Sequence, residues 1–296
     1  MGKYANLLYD DSFKVVICAP GNERLLIEII ELLIPDKHIK SLELKDKEQH
    51  GLSVSDKIST FDLYCTSDSG EQFIVEMQNS PQHHYADRML CYASHPIRNQ
   101  LAKKLKERRE KIQKGEPTRA MDYGLLPVYV VSMLNFSIPH ISDEVLEEGL
   151  VSRYAIRSNK GAELMTSSLQ FVYLELDRLK AKKDEPEKCK SLLEKFAYSL
   201  KYMHQIDGRP DGFDDDMLKH LYEASEFANW STDKQFEYES VMRTELDIIA
   251  EKAYAHDEGK AEASLEIAER LLALGVDKAI VAESTGLSDE QLRAIE

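Results

Sequence analysis

The sequence predicts a mixed α/β domain followed by an α-helical C-terminal region. Three observations carry that expectation. Residues 58–66 alternate apolar and polar side chains, Ser67-Asp68-Ser69-Gly70 is a turn signal, and residues 71–79 fit a returning strand, so the pair reads as a β-hairpin. Residues 126–136, LPVYVVSMLNF, are an unbroken apolar, β-branched run suited to a buried central strand. From about residue 186 onward the pattern is helical.

The elements follow in order. NERLLIEIIELLI (22–34) has helical length and one broad apolar face, and Pro35 stops it. Residues 39–47 fit a first strand. In ISTFDLYCT (58–66), Phe61, Leu63 and Cys65 point one way and Thr60, Asp62 and Tyr64 the other. EQFIVEMQN (71–79) is the returning strand, which Pro81 ends. A helical stretch over 82–114 breaks at Gly115 and Pro117, and LQFVYLEL (169–176) supplies a further strand. The expected core is therefore helix, strand, strand, strand, helix, strand.

Amphipathic helices are expected at 188–204 and 214–230, and a long acidic one at 236–274. In the two-helix tail, 275–296, Asp277 suits an N-cap, Gly286 a left-handed stop, and Ser288 with Gln291 a capping box. The expected organisation is thus a domain over 1–180, a helical region over 181–274 and the tail. Ala282, Gly286 and Leu292 have helix-turn-helix spacing, but the second helix opens with Ser288, Asp289 and Glu290, which repel phosphates. Only Lys278 and Arg293 favour DNA there. The tail reads as a packing or oligomerisation module, with homo-oligomers forming through the helical C-terminal region.

Bulk properties exclude several classes. With 296 residues and 43% hydrophobic content, the chain can build one large core or two ordinary ones. No run approaches the roughly 20 apolar residues a membrane-spanning helix needs, so no membrane partner is expected. The first residues do not read as a secretory signal, and Asn6 stands where a myristoylation signal prefers Ser or Thr. None of the four cysteines forms a CxxC pair; Cys18, Cys65 and Cys91 lie in apolar stretches and read as buried free thiols in a reducing cytoplasmic compartment. His83, His84 and Cys91 lack the paired spacing of a structural zinc site. No GxxxxGK[ST] or GxSxG motif is present, which argues against P-loop nucleotide hydrolysis and serine-hydrolase chemistry.

The net charge of −15 is unevenly spread. Residues 1–140 hold 18 basic and 19 acidic side chains, leaving 20 and 34 for the remainder. Residues 98–119 hold 9 basic against 3 acidic, enough to accept a polyanion locally; by composition alone a solvated helix face explains them better.

Three residues stand out chemically. Asp62 interrupts one strand of the hairpin and Glu76 the other, each an acid among residues that should be buried, where an unpartnered carboxylate costs roughly several kcal/mol. Gln78 shares Glu76's face, being two residues along. Converging there, two carboxylates and an amide would suit Mg²⁺ or Mn²⁺, whose activated water attacks a phosphodiester in line. On spacing alone, an ordinary half-exposed strand with Glu76 and Gln78 on its wet face fits better.

The segments FDLYC, GEQFIVEMQ, ADRMLCYASHPIRNQ and DYGLLPVYVVSMLNF, in that order, resemble the PD-(D/E)XK nuclease family transposases of bacteria, also called recombination-promoting nucleases. FVYLELDRL, LYEASEFANW and GKAEASLEIAERLLALGVDKAIVAESTGLSDEQL extend the resemblance over most of the chain. It implies a restriction-endonuclease-like core (αβββαβ, mixed sheet), with Asp62 and Glu76 as the metal-binding acids. It also sets Gln78 at the lysine position of the wider superfamily, where a neutral amide orients a water or a phosphate but brings no charge. Glu28, on the first helix, and Glu48, before the second strand, are the candidates for an additional acid.

On the helix after the hairpin, Tyr85, Arg88 and Tyr92 share one face and Gln100 continues the stripe. Arg88 suits a backbone phosphate, the two tyrosines suit packing on the sheet, and Gln100, Lys103, Lys104 and Arg108 are candidate DNA-phosphate contacts. The expectation is a metal-dependent DNA endonuclease linked to transposition or recombination. Its rival is a catalytically weak or inactive nuclease-fold protein that binds DNA or a partner.

Overall fold

The second and third predicted strands, joined by the Ser67–Gly70 turn, form the hairpin on which the sheet is laid. In a computed structural model, which describes residues 2–44, 63–118, 120, 123–139, 149–158 and 168–294, β2 (Leu63–Ser67) pairs antiparallel with β3 (Gln72–Gln78), Leu63 opposite Val75. Gly70 closes the turn with its N–H on the Ser67 carbonyl at 2.9 Å. Its φ of +85° is left-handed, and a Cβ there would lie 2.7 Å from Leu126 Cδ1, so both backbone and space require glycine. β1 (Leu42–Leu44) flanks β2 antiparallel, and β4 (Val128–Leu134) runs parallel to β3. β6 (Leu169–Glu175) runs parallel to β4, and β5 (Val151–Ala155) closes that edge antiparallel. The order is β1-β2-β3-β4-β6-β5, a mixed six-stranded sheet. Every residue of β4 is buried, as its apolar run predicts for a strand covered on both faces.

Register divides the side chains between two faces. Tyr64, Ile74, Val130, Leu134 and Tyr173 pack with Tyr85, Met89, Tyr92 and Ala93 of α3 (Tyr85–Gln113) in one core. Tyr85 and Tyr92 therefore pack on the sheet, as one of the two readings of that helix face held. On the other side Phe73 stacks on Tyr129, centroids 5.1 Å apart. That face meets α1 (Asp10–Ile17), which buries Phe13, Val16 and Ile17. It also meets the end of α2 (Glu23–Leu33): the Leu33 carbonyl accepts from Arg153 of β5, and Lys37 lies over the Tyr129 ring. α2 buries six leucine and isoleucine side chains, each contributing roughly 1.5–3 kcal/mol of transfer free energy. Pro96 sits buried inside α3, where it removes the amide that would bond the Tyr92 carbonyl.

The predicted helical region begins with α4 (Leu192–Tyr202), whose Ser191 and Glu194 form a reciprocal capping box, and continues with α5 (Asp216–Ser225). Both pack against α2. α6 (Thr232–Ala273), α7 (Lys278–Thr285) and α8 (Asp289–Ala294) complete the α-helices among the described residues. The chain divides into two compact units, Met1–Tyr238 and Glu239–Glu296. In the second, Ala268, Val281, Leu287 and Leu292 make a small core. Its caps match the sequence: Ala279 N donates to Asp277 Oδ1 at 2.9 Å, Gly286 has φ +71°, and Ser288 and Gln291 exchange bonds.

Four expectations need correction. α1 and β5 were not anticipated. α1 is only eight residues long and half polar, so its Phe13, Val16 and Ile17 give just one turn of helical spacing, and β5 is a five-residue edge strand with three positions at least partly exposed. Cys18 is only half-buried, and Cys91 is exposed rather than buried, because the helix turns its apolar neighbours Met89 and Tyr92 inward and leaves Cys91 on the water side. Cys65 is fully buried, and burial pushes its thiol up to about 12.

Candidate active site

Glu76 and Gln78 occupy the α3-facing side of β3. Glu76 lies opposite Ser132 of β4, and the same row reaches Tyr173 of β6. Glu76 is 2% exposed, whereas Gln78, at the strand's end, is half-buried. Within two residues the row passes from core to solvent.

His84 reverses the chain at that end. It adopts φ 58°, ψ 32°, a left-handed conformation that histidine takes more readily than most side chains. The reversal starts α3 immediately and lays its first turns back over β3. Arg88 consequently returns to the residue ten positions earlier: its Nη2 donates to Gln78 Oε1 at 2.5 Å, and its Nη1 donates to Gln82. The guanidinium lies between the Tyr85 and Tyr92 rings, 5.5 and 5.4 Å from their centroids. Its Nε and the Tyr85 hydroxyl are both buried with no hydrogen-bond partner. Burial raises the Tyr85 pKa far above the ordinary phenol value. The neighbouring Ser132 hydroxyl opposes the rise, and the Glu76 carboxylate adds to it.

Asp62 and Glu48 lie outside the described residues. Glu28 is on α2, its carboxylate accepting from Arg24 Nε at 2.9 Å. Since α2 belongs to the layer opposite α3, Glu28 is not brought together with Glu76.

The basic candidates gather at the other end of β3. Gln100, Lys103 and Lys104 line a cleft of about 590 Å³ with Tyr64, Gln72 and Leu126. Gln72 and Glu76 are four residues apart, about 13 Å along a strand. The Gln100 amide clasps the backbone ahead of β4, donating to the Leu126 carbonyl at 3.0 Å and accepting from its N–H at 2.8 Å. Lys104 Nζ donates to the Gly124 carbonyl at 2.5 Å. Lys103 and Arg108 are exposed. From Arg88 to Lys103 the helix advances about 22 Å at 1.5 Å per residue.

Among the described residues no cluster of three His, Cys, Asp or Glu side chains is placed to hold a metal ion. The ligand atoms beside the solvent-facing end of the row are the oxygens of the Glu76 carboxylate, the Gln78 oxygen being taken by Arg88. That set fits a hard divalent cation such as Mg²⁺ or Mn²⁺ and does not suit zinc.

Sequence reasoning missed a second buried acid. Glu175, at the end of β6, is 0% exposed. Its Oε1 accepts from Ser152 Oγ at 2.6 Å and Arg178 Nη1 at 3.2 Å, and its Oε2 accepts from Ile138 N at 3.1 Å. The signal that marked Glu76, an acid inside an apolar strand, is equally present in FVYLEL.

The model of the PD-(D/E)XK nuclease family transposases matches residues 7–255. The chain belongs to that family. The mixed sheet and its flanking helices are the family's nuclease-type α/β domain, as the resemblance implied. Residues 261–296 match a second model, the C-terminal HTH domain of the Rpn/YhgA-like nuclease family, which agrees with the helix-turn-helix spacing of α7 and α8. Comparison with curated proteins and with solved structures returned no match. No described helix is long and apolar enough to cross a membrane.

Proposed function

We propose that this nuclease-family protein is a metal-dependent DNA endonuclease that hydrolyses phosphodiester bonds in transposition or recombination. The observation that carries the reading is Glu76, a buried acid on the central hairpin. It stands two residues from a polar side chain that reaches solvent, in a chain belonging to a nuclease family.

Glu76 and Asp62 would hold Mg²⁺ or Mn²⁺, with Asp62 drawn from the sequence just ahead of β2. A bound divalent ion would supply Lewis-acid activation of a water and of the phosphodiester. Gln78 orients the water or the phosphate. Lys103, Lys104 and Arg108 extend the site as a phosphate track along α3, the 22 Å from Arg88 to Lys103 matching about six phosphates of one strand at 3.4 Å each. Glu48 stays a candidate for an additional acid. Glu28, bonded to Arg24, and Gln100, bonded to Leu126, act by holding their helices in place. The four free cysteines suit a reducing cytoplasmic compartment. Leu246, Ile249 and Tyr254, exposed along α6, are the side chains through which copies would associate.

Nicking of supercoiled plasmid in Mg²⁺ tests the reading. Wild type should cut, and Asp62→Ala and Glu76→Ala should not. One observation, glutamine at position 78, favours the rival of a nuclease-fold protein that only binds DNA or a partner. Tight plasmid binding with no cutting in Mg²⁺ or Mn²⁺ would establish that rival.

A further inference from the structure

A phosphodiester transition state accumulates negative charge on the phosphoryl oxygens, and positioned positive donors lower its energy. In the E-x-Q of this chain no cation stands at the third position. We propose that Arg88 is the catalytic cation of this site, a guanidinium delivered from α3 onto the amide that occupies the lysine's place. The inference rests on the endonuclease reading and adds a residue to it.

The geometry supports the assignment in three ways. First, Arg88 meets position 78 directly, Nη2 to Gln78 Oε1 at 2.5 Å, so its charge lies within one hydrogen bond of where a lysine at 78 would bring its own. Second, the guanidinium is fixed rather than swinging. Tyr85 and Tyr92 flank it, Gln78 and Gln82 hold its two terminal nitrogens, and the left-handed turn at His84 sets the start of the helix that carries it. Third, it keeps donors to spare. Five N–H groups serve two hydrogen bonds; Nε is buried, but Nη1 and Nη2 each spend one of two protons, and the side chain as a whole is half-buried, so a ligand can reach the terminal nitrogens.

The pairing also assigns an orientation to Gln78. With its oxygen accepting from Arg88, the amide presents its NH₂ group. Arg88 and Gln78 together offer only N–H donors, which match a phosphoryl oxygen and not a water that must lose a proton. An arginine serves better here than a lysine, because its planar fork bonds the amide and a phosphate at once.

The test compares Arg88→Met, which keeps an apolar stem between the two tyrosines, with the double variant Q78K/R88M. Three quantities are measured: single-turnover plasmid nicking in Mg²⁺, duplex affinity by fluorescence anisotropy without metal, and melting temperature. Arg88→Met should nick about 100-fold more slowly while its affinity falls less than about 3-fold. Q78K/R88M should regain at least about tenfold of the lost rate, since the lysine restores charge at the same place. Nicking by folded Arg88→Met within about 3-fold of wild type overturns the proposal. So does a loss of affinity as large as the loss of rate, or a folded double variant no faster than the single. If wild type itself never nicks, the endonuclease reading falls and takes this one with it. A cutting wild type with an equally active Arg88→Met sinks this one alone.

Discussion

Glu76 on β3 and Glu175 on β6 face the same side of one sheet, two strands apart, and both are buried, yet their settings differ. Glu175 is closed in by Ser152, the Ile138 amide and Arg178, partners from the neighbouring strand and from the segments that follow β4 and β6. That arrangement ties the β5 edge to the sheet and leaves nothing for a substrate. Glu76 sits beside Ser132, in the electrostatic field of Tyr85, and one residue pair away the face opens at Gln78 and Arg88. The difference teaches that burial of an acid does not indicate its purpose. Whether the row of side chains continues into protein or into solvent does.

The sharpest way to break this comparison is Glu76→Gln. Nicking should fall at least ~1000-fold, about 4 kcal/mol of barrier, with the melting temperature unchanged or higher. A Glu76→Gln protein that unfolds early, with little loss of rate per folded molecule, would make Glu76 a second structural knot. The mirror experiment is Glu175→Gln. Removing the charge that Arg178 faces should lower the unfolding free energy by on the order of 3 kcal/mol in urea titrations, while folded molecules still cut.

Gln100→Ala probes a third buried polar side chain, this one on α3. Loss of its two bonds to Leu126 should cost about 1–2 kcal/mol of stability and leave the nicking rate at saturating DNA within about twofold. The smallest change expected is in the triple variant of Lys103, Lys104 and Arg108 to alanine. Its effect is electrostatic and falls on binding alone: the slope of log affinity against log salt should flatten by up to about 3, close to 0.9 for each phosphate left without its cation. An unchanged slope would mean that the cleft end of α3 does not meet DNA.

Much of this was legible in the sequence. The hairpin, β4 and β6 were readable because period-two alternation and an unbroken apolar run each have one simple structural solution. α3 was readable by length, and Tyr85, Arg88 and Tyr92 by helical spacing. Other features were hidden for physical reasons. β5 is short and half exposed, so no periodicity distinguishes it from a loop. The Arg88–Gln78 bond depends on His84 turning left-handed, which no residue pattern announces. Glu175 carried the same signal as Glu76, but its partners Ser152 and Ile138 come from segments that spacing cannot bring near it.

Pro96 gives α3 a division of labour. The missing amide leaves a weak link in the hydrogen-bond ladder of a 29-residue rod, between the turns that seat Arg88 and those that carry the lysines. Helices kink most readily where proline breaks the ladder, so Pro96 marks the place where α3 yields first, between its two halves.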